Sequence, residues 1–347
     1  MTIFLIVFSL LLLFFSVMSL IKSDYWTFRI FDYPRLQKFV LSISCLVLLL
    51  LNYEDNWSYK LLIPAMFCNI IYLFVLIRPF TFLANKQVLR ISESKKDDQI
   101  CIMISNVYQD NTNYKGCIKA VKKANPDMVL LLETDSNWDE NTKELENIFP
   151  YSKKIPLENT YGMLLYSKLE LKDAAVHYLV ENDIPSIHTK IVLNSGQLVQ
   201  IYALHPTPPV PNENPRSTER DKELLLVAEL AKEATLPVIV IGDLNDVAWS
   251  YTTELFLKMS GLLDPRRGRG FYNSFHAHYP FLRFPLDHAF ISTDFKLVGM
   301  KRLDNFNSDH FPIYIHIQHE KMAVHQQESL KPDEDDVAIA EEKKNKL

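Results

Sequence analysis

The chain has 347 residues, of which 48% are hydrophobic and 23% charged, with a formal net charge of −5. That length suffices for more than one folded unit, and the composition excludes fibrous, collagen-like and wholly disordered chains. Four cysteines without paired C-x-x-C spacing exclude a disulfide framework or a cysteine-based zinc ribbon as the organising device.

The first predicted element is an apolar run from Ile3 to Ile21, broken only by Ser9, Ser16 and Ser19 and long enough to span a bilayer. It lacks the basic start and small-residue cleavage site of a secretory signal, so it is expected to be retained. Two more charge-free stretches follow, Phe39 to Tyr53 and Leu61 to Ile77, with Trp26, Trp57 and Tyr72 suited to the interfacial aromatic belt. Residues 1–96 are therefore predicted to be an all-α membrane anchor with about three transmembrane helices. The second and third runs are short, and a shallow hairpin is the alternative for them. Lys22, Arg29, Arg35 and Lys38 in the first loop, with Arg78, Lys86 and Arg90 after the third run, outnumber Lys60 on the opposite side. By the positive-inside rule, the first loop and everything after residue 78 are expected on the cytoplasmic face of a multi-pass integral membrane protein.

From Ile100 onward, short apolar β-type runs alternate with amphipathic stretches, the pattern of a layered α/β domain. Strands are predicted at 100–105, 127–132, 161–166, 187–193, 198–204, 237–242, 286–291 and 312–317, and helices at 113–124 and 217–234. Pro206 to Pro215 (PTPPVPNENP) reads as an extended surface loop, because proline is excluded from helix interiors and central strands. Cys101 in a strand and Cys117 on a helix are expected to be unpaired. Residues 321–347 hold five Lys against seven acids and no aromatic residue, and are predicted to be a disordered charged tail. The net charge divides unevenly: +5 in residues 1–96, −8 in 97–320 and −2 in the tail. The soluble unit thus lacks the net basic footprint of a nonspecific duplex-DNA binder.

Polar residues stand where the apolar strands end, the place where open sheets bind ligands. Asn106 closes ICIMISN, Glu133 closes DMVLLLE, His205 closes LVQIYALH, and Asp243 and Asn245 close PVIVIGDLN. Asp287 interrupts FPLDHAF, and Asp309 and His310 lie in NSDHFPI. Each alone is weak, since a strand end can be merely solvated and an Asp after Gly can simply form an Asx turn. The set is coherent, however. Oxygen donors such as Glu133, with Asn106 and Asp309, suit Mg²⁺, or Mn²⁺, better than zinc. A His–Asp pair can take a proton from water, and in-line attack on phosphorus needs mainly positioning and charge neutralisation.

The order Asn, Glu, His, Gly-Asp-x-Asn, Asp, Ser-Asp-His resembles the endonuclease/exonuclease/phosphatase superfamily over roughly residues 100–318. That superfamily includes pancreatic deoxyribonuclease, neutral sphingomyelinases and inositol polyphosphate 5-phosphatases. The resemblance implies a four-layer αββα sandwich at residues 97–320. It implies Glu133 as principal metal ligand, with support from Asn106 and Asp309, and Asp287 orienting His310. His205 and Asn245 would hold the scissile phosphate. It leaves open whether Asp243 or His310 is the general base. His205 places the chain nearer the histidine-containing branches than the abasic-site endonucleases, which usually carry tyrosine there.

Five arginines are candidates for substrate phosphate: Arg216 and Arg220 beside the proline-rich loop, and Arg266, Arg267 and Arg269 in DPRRGRGFYNSFH. Residues 271–276 are candidates for lining the cleft. The expected function is hydrolysis of a phosphodiester or phosphomonoester beside the membrane lipid bilayer, with a lipid headgroup or small phosphate favoured as substrate. A nuclease acting on DNA or RNA is the runner-up, and a noncatalytic membrane-tethered binding module the third reading. No protein partner follows from the sequence.

Overall fold

The computed structural model describes residues 2–346. The N-terminal unit holds α1 (Thr2–Met18), the single turn α2 (Trp26–Arg29), α3 (Arg35–Leu51) and α4 (Trp57–Ile77). The three apolar runs thus become three packed helices, but they differ in length. The continuous helix Trp57–Phe80 is long and apolar enough to cross a membrane. Trp26–Asp32 and Arg35–Leu51 reach that length only together, across a 65° bend, and Thr2–Met18 is shorter. This small bundle differs from one built for water in burying polar pairs and exposing much apolar surface. Its polar side chains face inward, with Ser9 Oγ 3.2 Å from Cys45 Sγ and Asn69 Nδ2 donating to Ser42 Oγ at 3.0 Å. Leu5, Leu12, Leu49, Leu62 and Met66 pack between the helices as well, while many further apolar side chains face outward, with Phe4 66%, Leu51 77% and Val75 60% exposed.

The rest of the chain is a sandwich of two sheets. The first contains β1 (Gln99–Asn106), β2 (Met128–Leu132), β3 (Tyr151–Ile155), β4 (Met163–Ser167), β10 (Phe295–Arg302) and β11 (Ile313–His319), ordered β10-β11-β1-β2-β4-β3. The second contains β5 (Leu171–His177), β6 (Ser186–Val192), β7 (Leu198–Leu204), β8 (Val238–Asp243) and β9 (Asp287–Ile291), in that order. Period-two alternation sorts side chains between layers. Ile102, Ile104, Leu130 and Leu132 of the first sheet join Ile201, Ala203, Ile239 and Ile241 of the second in one core between them. The alternate residues Met103, Val129 and Leu131 face outward to Cys117, Val121 and Trp138 of α5 (Tyr114–Ala124) and α6 (Ser136–Thr142). Tyr202, Leu204 and Val240 likewise pack on α7 (Thr218–Glu233) and α8 (Tyr251–Ser260). The expected four-layer αββα sandwich is the observed one, and all four cysteines are free thiols.

The tail differs from expectation. Glu334–Asn345 forms a helix, α9, opened by a reciprocal capping box between Asp333 and Asp336. Lys258 Nζ donates to Asp336 at 2.8 Å, and Ala340 is buried against Leu225 and Leu255. Lys343 Nζ donates to Asp24 and Asp221, both at 2.7 Å. The charges read as a solvated tail are half of an ionic interface whose other half lies between 78 and 319 residues away.

Candidate active site

Two parallel strand pairs aim their carboxyl ends at one rim: β1 beside β2 in one sheet, and β7 beside β8 in the other. Asn106, Glu133, His205 and Asp243 stand at those ends. The remaining site residues come from antiparallel strands that begin at the same rim. Asp287 opens β9 in register with Asp243, and His310 lies just before β11. The structure therefore brings the strand-end residues together from both faces of the sandwich.

Backbone geometry sharpens the placement. Gly242 has φ 150°, and a Cβ there would fall 1.9 Å from the Leu204 carbonyl oxygen, so glycine is required where β7 and β8 converge. Glu133 (φ 58°) and Asn245 (φ 50°) adopt the left-handed region without being glycine, which costs about 1–3 kcal/mol each and holds both side chains over the rim.

The side chains form one connected set. Asn106 Nδ2 donates to Glu133 Oε1 at 2.7 Å and to Asp243 Oδ2 at 3.1 Å. The Asn245 backbone N–H donates to Asp243 Oδ1 at 3.0 Å, and its side-chain amide donates to the Pro206 carbonyl at 3.0 Å. His310 Nδ1 lies 2.7 Å from Asp287 Oδ2, and its Nε2 lies 3.5 Å from Asp243 Oδ2. His205 is buried, with its ring centroid 5.2 Å from that of Tyr161, and its Nδ1 has no hydrogen-bond partner among the described residues. Asp309 is half-buried and lines the same cavity.

Electrostatics follow from burial and crowding. Burial alone would lower the His310 pKa, but Asp287 and Asp243 raise it to about 10, so the imidazole is a cation at neutral pH. Asp243 is buried too, yet the His310 charge and the Asn245 N–H hold its carboxyl below the usual range. Burial pushes Glu133 up to about 7, against the hydrogen bond from Asn106. Burial lowers His205 to about 4, leaving it neutral.

Four carboxylates, Glu133, Asp243, Asp287 and Asp309, thus surround one imidazolium, and Asp287 Oδ1 is buried with no partner among the described residues. Oxygen donors of Asp243 and Asp287 and a ring nitrogen of His310 lie within 4.8 Å of one another. This excess of negative charge and of hard oxygen donors fits a divalent cation.

The arginines are the main correction. Arg220 is buried, with Nη2 2.8 Å from Asp221 and 3.4 Å from Asp246, while its Nη1 donates to the Asn245 carbonyl at 2.7 Å. Arg266 is buried in a bidentate pair with Asp264, and its Nη2 lies 2.6 Å from His288 Nδ1. Arg269 is buried and donates to the Pro265 and Val88 carbonyls. Arg267 lies over the Phe80 ring, and exposed Arg216 lies over Tyr25. None of the five lines the cavity above the acids. They brace the loops behind it, because each buried guanidinium has a carboxylate or carbonyl partner close by.

Residues not singled out from sequence complete the site. Ser308 Oγ donates to the Asn106 carbonyl at 2.8 Å and accepts from the His310 N–H at 3.0 Å. Ser274 Oγ accepts from the Asp287 N–H at 3.1 Å. Phe275, within the stretch 271–276, places its ring 5.0 Å from that of His310. The cavity, about 380 Å³, is walled by Pro208 to Pro211 of the proline-rich loop and by Trp26, Arg29, Ile30 and Tyr33 of the N-terminal unit. The Ser in Ser-Asp-His was a usable signal for the first of these. Nothing local marks residues 26–33 as neighbours of the strand ends.

No curated protein matches the chain. Among solved structures, D. rerio TDP2 complexed with single strand DNA product is similar with a TM-score of 0.54 and 17% identity, over 63% of this chain and 99% of that one. The human Nocturnin catalytic domain with bound sulfate anion gives 0.52 and 17%, over 70% and 99%. An endonuclease/exonuclease/phosphatase from Beutenbergia cavernae gives 0.53 and 15%, over 64% and 72%. At these identities the likeness is one of fold. Residues 103–310 match the model of the Endonuclease/Exonuclease/phosphatase family. From β1 to His310 that match takes in every strand-end residue of the cleft, and the chain belongs to this family of phosphoester hydrolases.

Proposed function

We propose that the chain is a membrane-anchored phosphoesterase that uses Mg²⁺, or Mn²⁺, to hydrolyse a phosphodiester or phosphomonoester, with a lipid headgroup or small phosphate as the favoured substrate. Enzymes of this family depend on a divalent metal. Glu133 would hold it, with Asp309 and Asn106 beside it, and when bound it supplies charge neutralisation at the phosphoryl oxygens.

The remaining work falls to side chains of the cleft. Asn245 and neutral His205 supply donors for the phosphate. Of the two candidate bases, we favour Asp243: it lines the cavity, its carboxyl is held below the usual range, and its neighbour His310 already carries a proton. Asp243 positions the attacking water and takes its proton, while the His310 imidazolium, fixed by Asp287, donates to the charge that builds on phosphorus oxygens.

The observation that carries this reading is the contact of one imidazole with both Asp287 and Asp243, next to Glu133. The membrane part rests on the exposed apolar surface of the helical bundle, and the substrate preference on the −8 charge of residues 97–320. A nuclease is the second reading, favoured by the fold shared with a TDP2 that was solved with single strand DNA product.

Turnover of bis-(p-nitrophenyl) phosphate with Mg²⁺ tests the chemistry, with Glu133→Ala and His310→Ala as controls. No metal-dependent turnover, or variants equal to the parent, rejects an enzyme and leaves a binding module. Plasmid nicking run beside phospholipid cleavage separates the substrates. Nicking abolished by Asn245→Ala, with lipid untouched, rejects the lipid preference.

A further inference from the structure

The cavity over the acid cluster is not closed by the sandwich alone. Its far wall is the connection between α1 and α3, which presents Trp26, Ile30 and Tyr33 together with the buried Arg29. This segment is held in place by specific bonds. Tyr33 Oη donates to the Asn245 carbonyl at 2.9 Å, Trp26 N–H donates to the Pro215 carbonyl at 2.9 Å, and Trp249 Nε1 donates to the Asp32 carbonyl at 2.9 Å. Beneath it, buried Asp24, Arg29, Asp32 and Arg35 are balanced by Asp221 and Lys343. A wall fixed by that many buried bonds is a surface with one shape.

Its chemistry is unlike that of the opposite wall. Ile30 is 51% exposed and Trp26 half-buried, so apolar surface stands open to solvent in the same cavity as the carboxylates that suit a phosphate and its metal. A small, fully polar phosphoester leaves that surface wet. An amphiphilic one covers it. The segment runs directly into α3, and the cavity-lining Phe275 is followed by Phe281, which is 87% exposed and whose carbonyl accepts from Gln37 Nε2 of α3 at 2.9 Å. The chain that lines the apolar side of the cleft thus leads on to α3, whose Val40 and Leu41 line a second apolar surface with Phe281.

We propose that Trp26 and Ile30 are specificity-determining residues that select phosphoesters whose phosphorus carries an apolar ester arm, with Tyr33 as a positioning residue acting through Asn245. The proposal rests on the phosphoesterase reading above. In the reaction, the water oxygen bonds to phosphorus, the bond from phosphorus to the leaving oxygen breaks, the water proton passes to Asp243, and the product phosphate keeps its apolar arm against the wall.

The test uses the full chain in detergent with Mg²⁺ and two substrates that share one leaving group, methyl p-nitrophenyl phosphate and hexyl p-nitrophenyl phosphate. The readout is the ratio of their kcat/KM values, which is insensitive to general damage. The hexyl ester is expected to be better by about tenfold or more, the effect of burying a few methylenes. Ile30→Asn and Trp26→Ala are expected to bring the ratio down to about one, and Ile30→Val to retain most of it. A ratio near one in the parent overturns the proposal, and so does a ratio unchanged in both polar and truncated variants. If the parent turns over neither ester, the phosphoesterase reading falls, and calorimetric binding of hexyl and methyl methylphosphonate then decides the wall. Tighter hexyl binding that Ile30→Asn abolishes supports it, and equal binding overturns it.

Discussion

His310 contacts Asp287 through Nδ1 at 2.7 Å and faces Asp243 through Nε2 at 3.5 Å, so a single imidazole links the first residue of β9 to the last residue of β8. Asp287→Asn removes one of the two charges that hold the ring cationic. The expected result is a His310 titration lowered from about 10 toward the ordinary value, followed by NMR in metal-free protein, and a fall in kcat of about 10²–10⁴. Because the folded-state pKa is raised, the stabilisation from this ring is complete below about pH 6.5 and is lost as pH rises through about 10. Asp287→Asn should flatten that decline in thermal melts.

Glu133 is the carboxylate on which the metal assignment depends. Glu133→Gln is expected to weaken Mg²⁺ or Mn²⁺ binding by at least about 10–100-fold in calorimetric titration. The parent should gain several degrees of melting temperature on adding the ion, and the variant little, because only the folded site binds it.

Arg266 separates a bracing role from a substrate role. It sits between Asp264 and His288, so Arg266→Ala leaves a buried carboxylate unpaired and should cost about 3–5 kcal/mol of stability by denaturant unfolding. The fraction that remains folded should bind substrate with a nearly unchanged KM. A large KM rise in a stable variant would restore Arg266 as a phosphate ligand.

Glu223 on α7 is buried, with Oε1 unpartnered among the described residues, and burial together with nearby Glu181 raises its pKa from 4.5 to about 8. The folded state therefore favours its protonated form. This stabilisation is present below about pH 4.5 and is lost as pH rises through about 8. Glu223→Gln is expected to remove that dependence and raise the melting temperature at pH 8.5, with little change at pH 4.5. Equal shifts at both pH values would contradict this account.

The eight strands read from sequence are, with one exception, those paired on both sides, and in β1, β2, β4 and β8 the long apolar runs are the mark of double burial. The three that were missed, β3, β5 and β10, are all edge strands, and their lysines are the usual guard of an open edge. The eight motif residues were legible because their positions at strand ends survive translation into one rim. The arginines misled because a guanidinium in a loop reads alike whether it meets a substrate or a buried acid. Asp246 became a partner of Arg220 only through the fold, whereas Asp221 and Asp264 stand one and two residues from Arg220 and Arg266 and were local signals. Residues 26–33 and 334–345 escaped for a related reason, since each is completed by groups from the far end of the chain.

The pairing of β1 has a consequence for synthesis. Its neighbours are β2, made soon after it, and β11, made about two hundred residues later, so one side of β1 stays unpaired until Ile313–His319 emerge. Lys343, which ties Asp24 to Asp221, is added later still. The helices at the N-terminus are complete long before either event. A ribosome halted within the catalytic unit thus holds an open-edged sheet, a state exposed to aggregation and to quality-control proteases, and the ion pairs beneath the cleft wall are complete only once the last helix has docked.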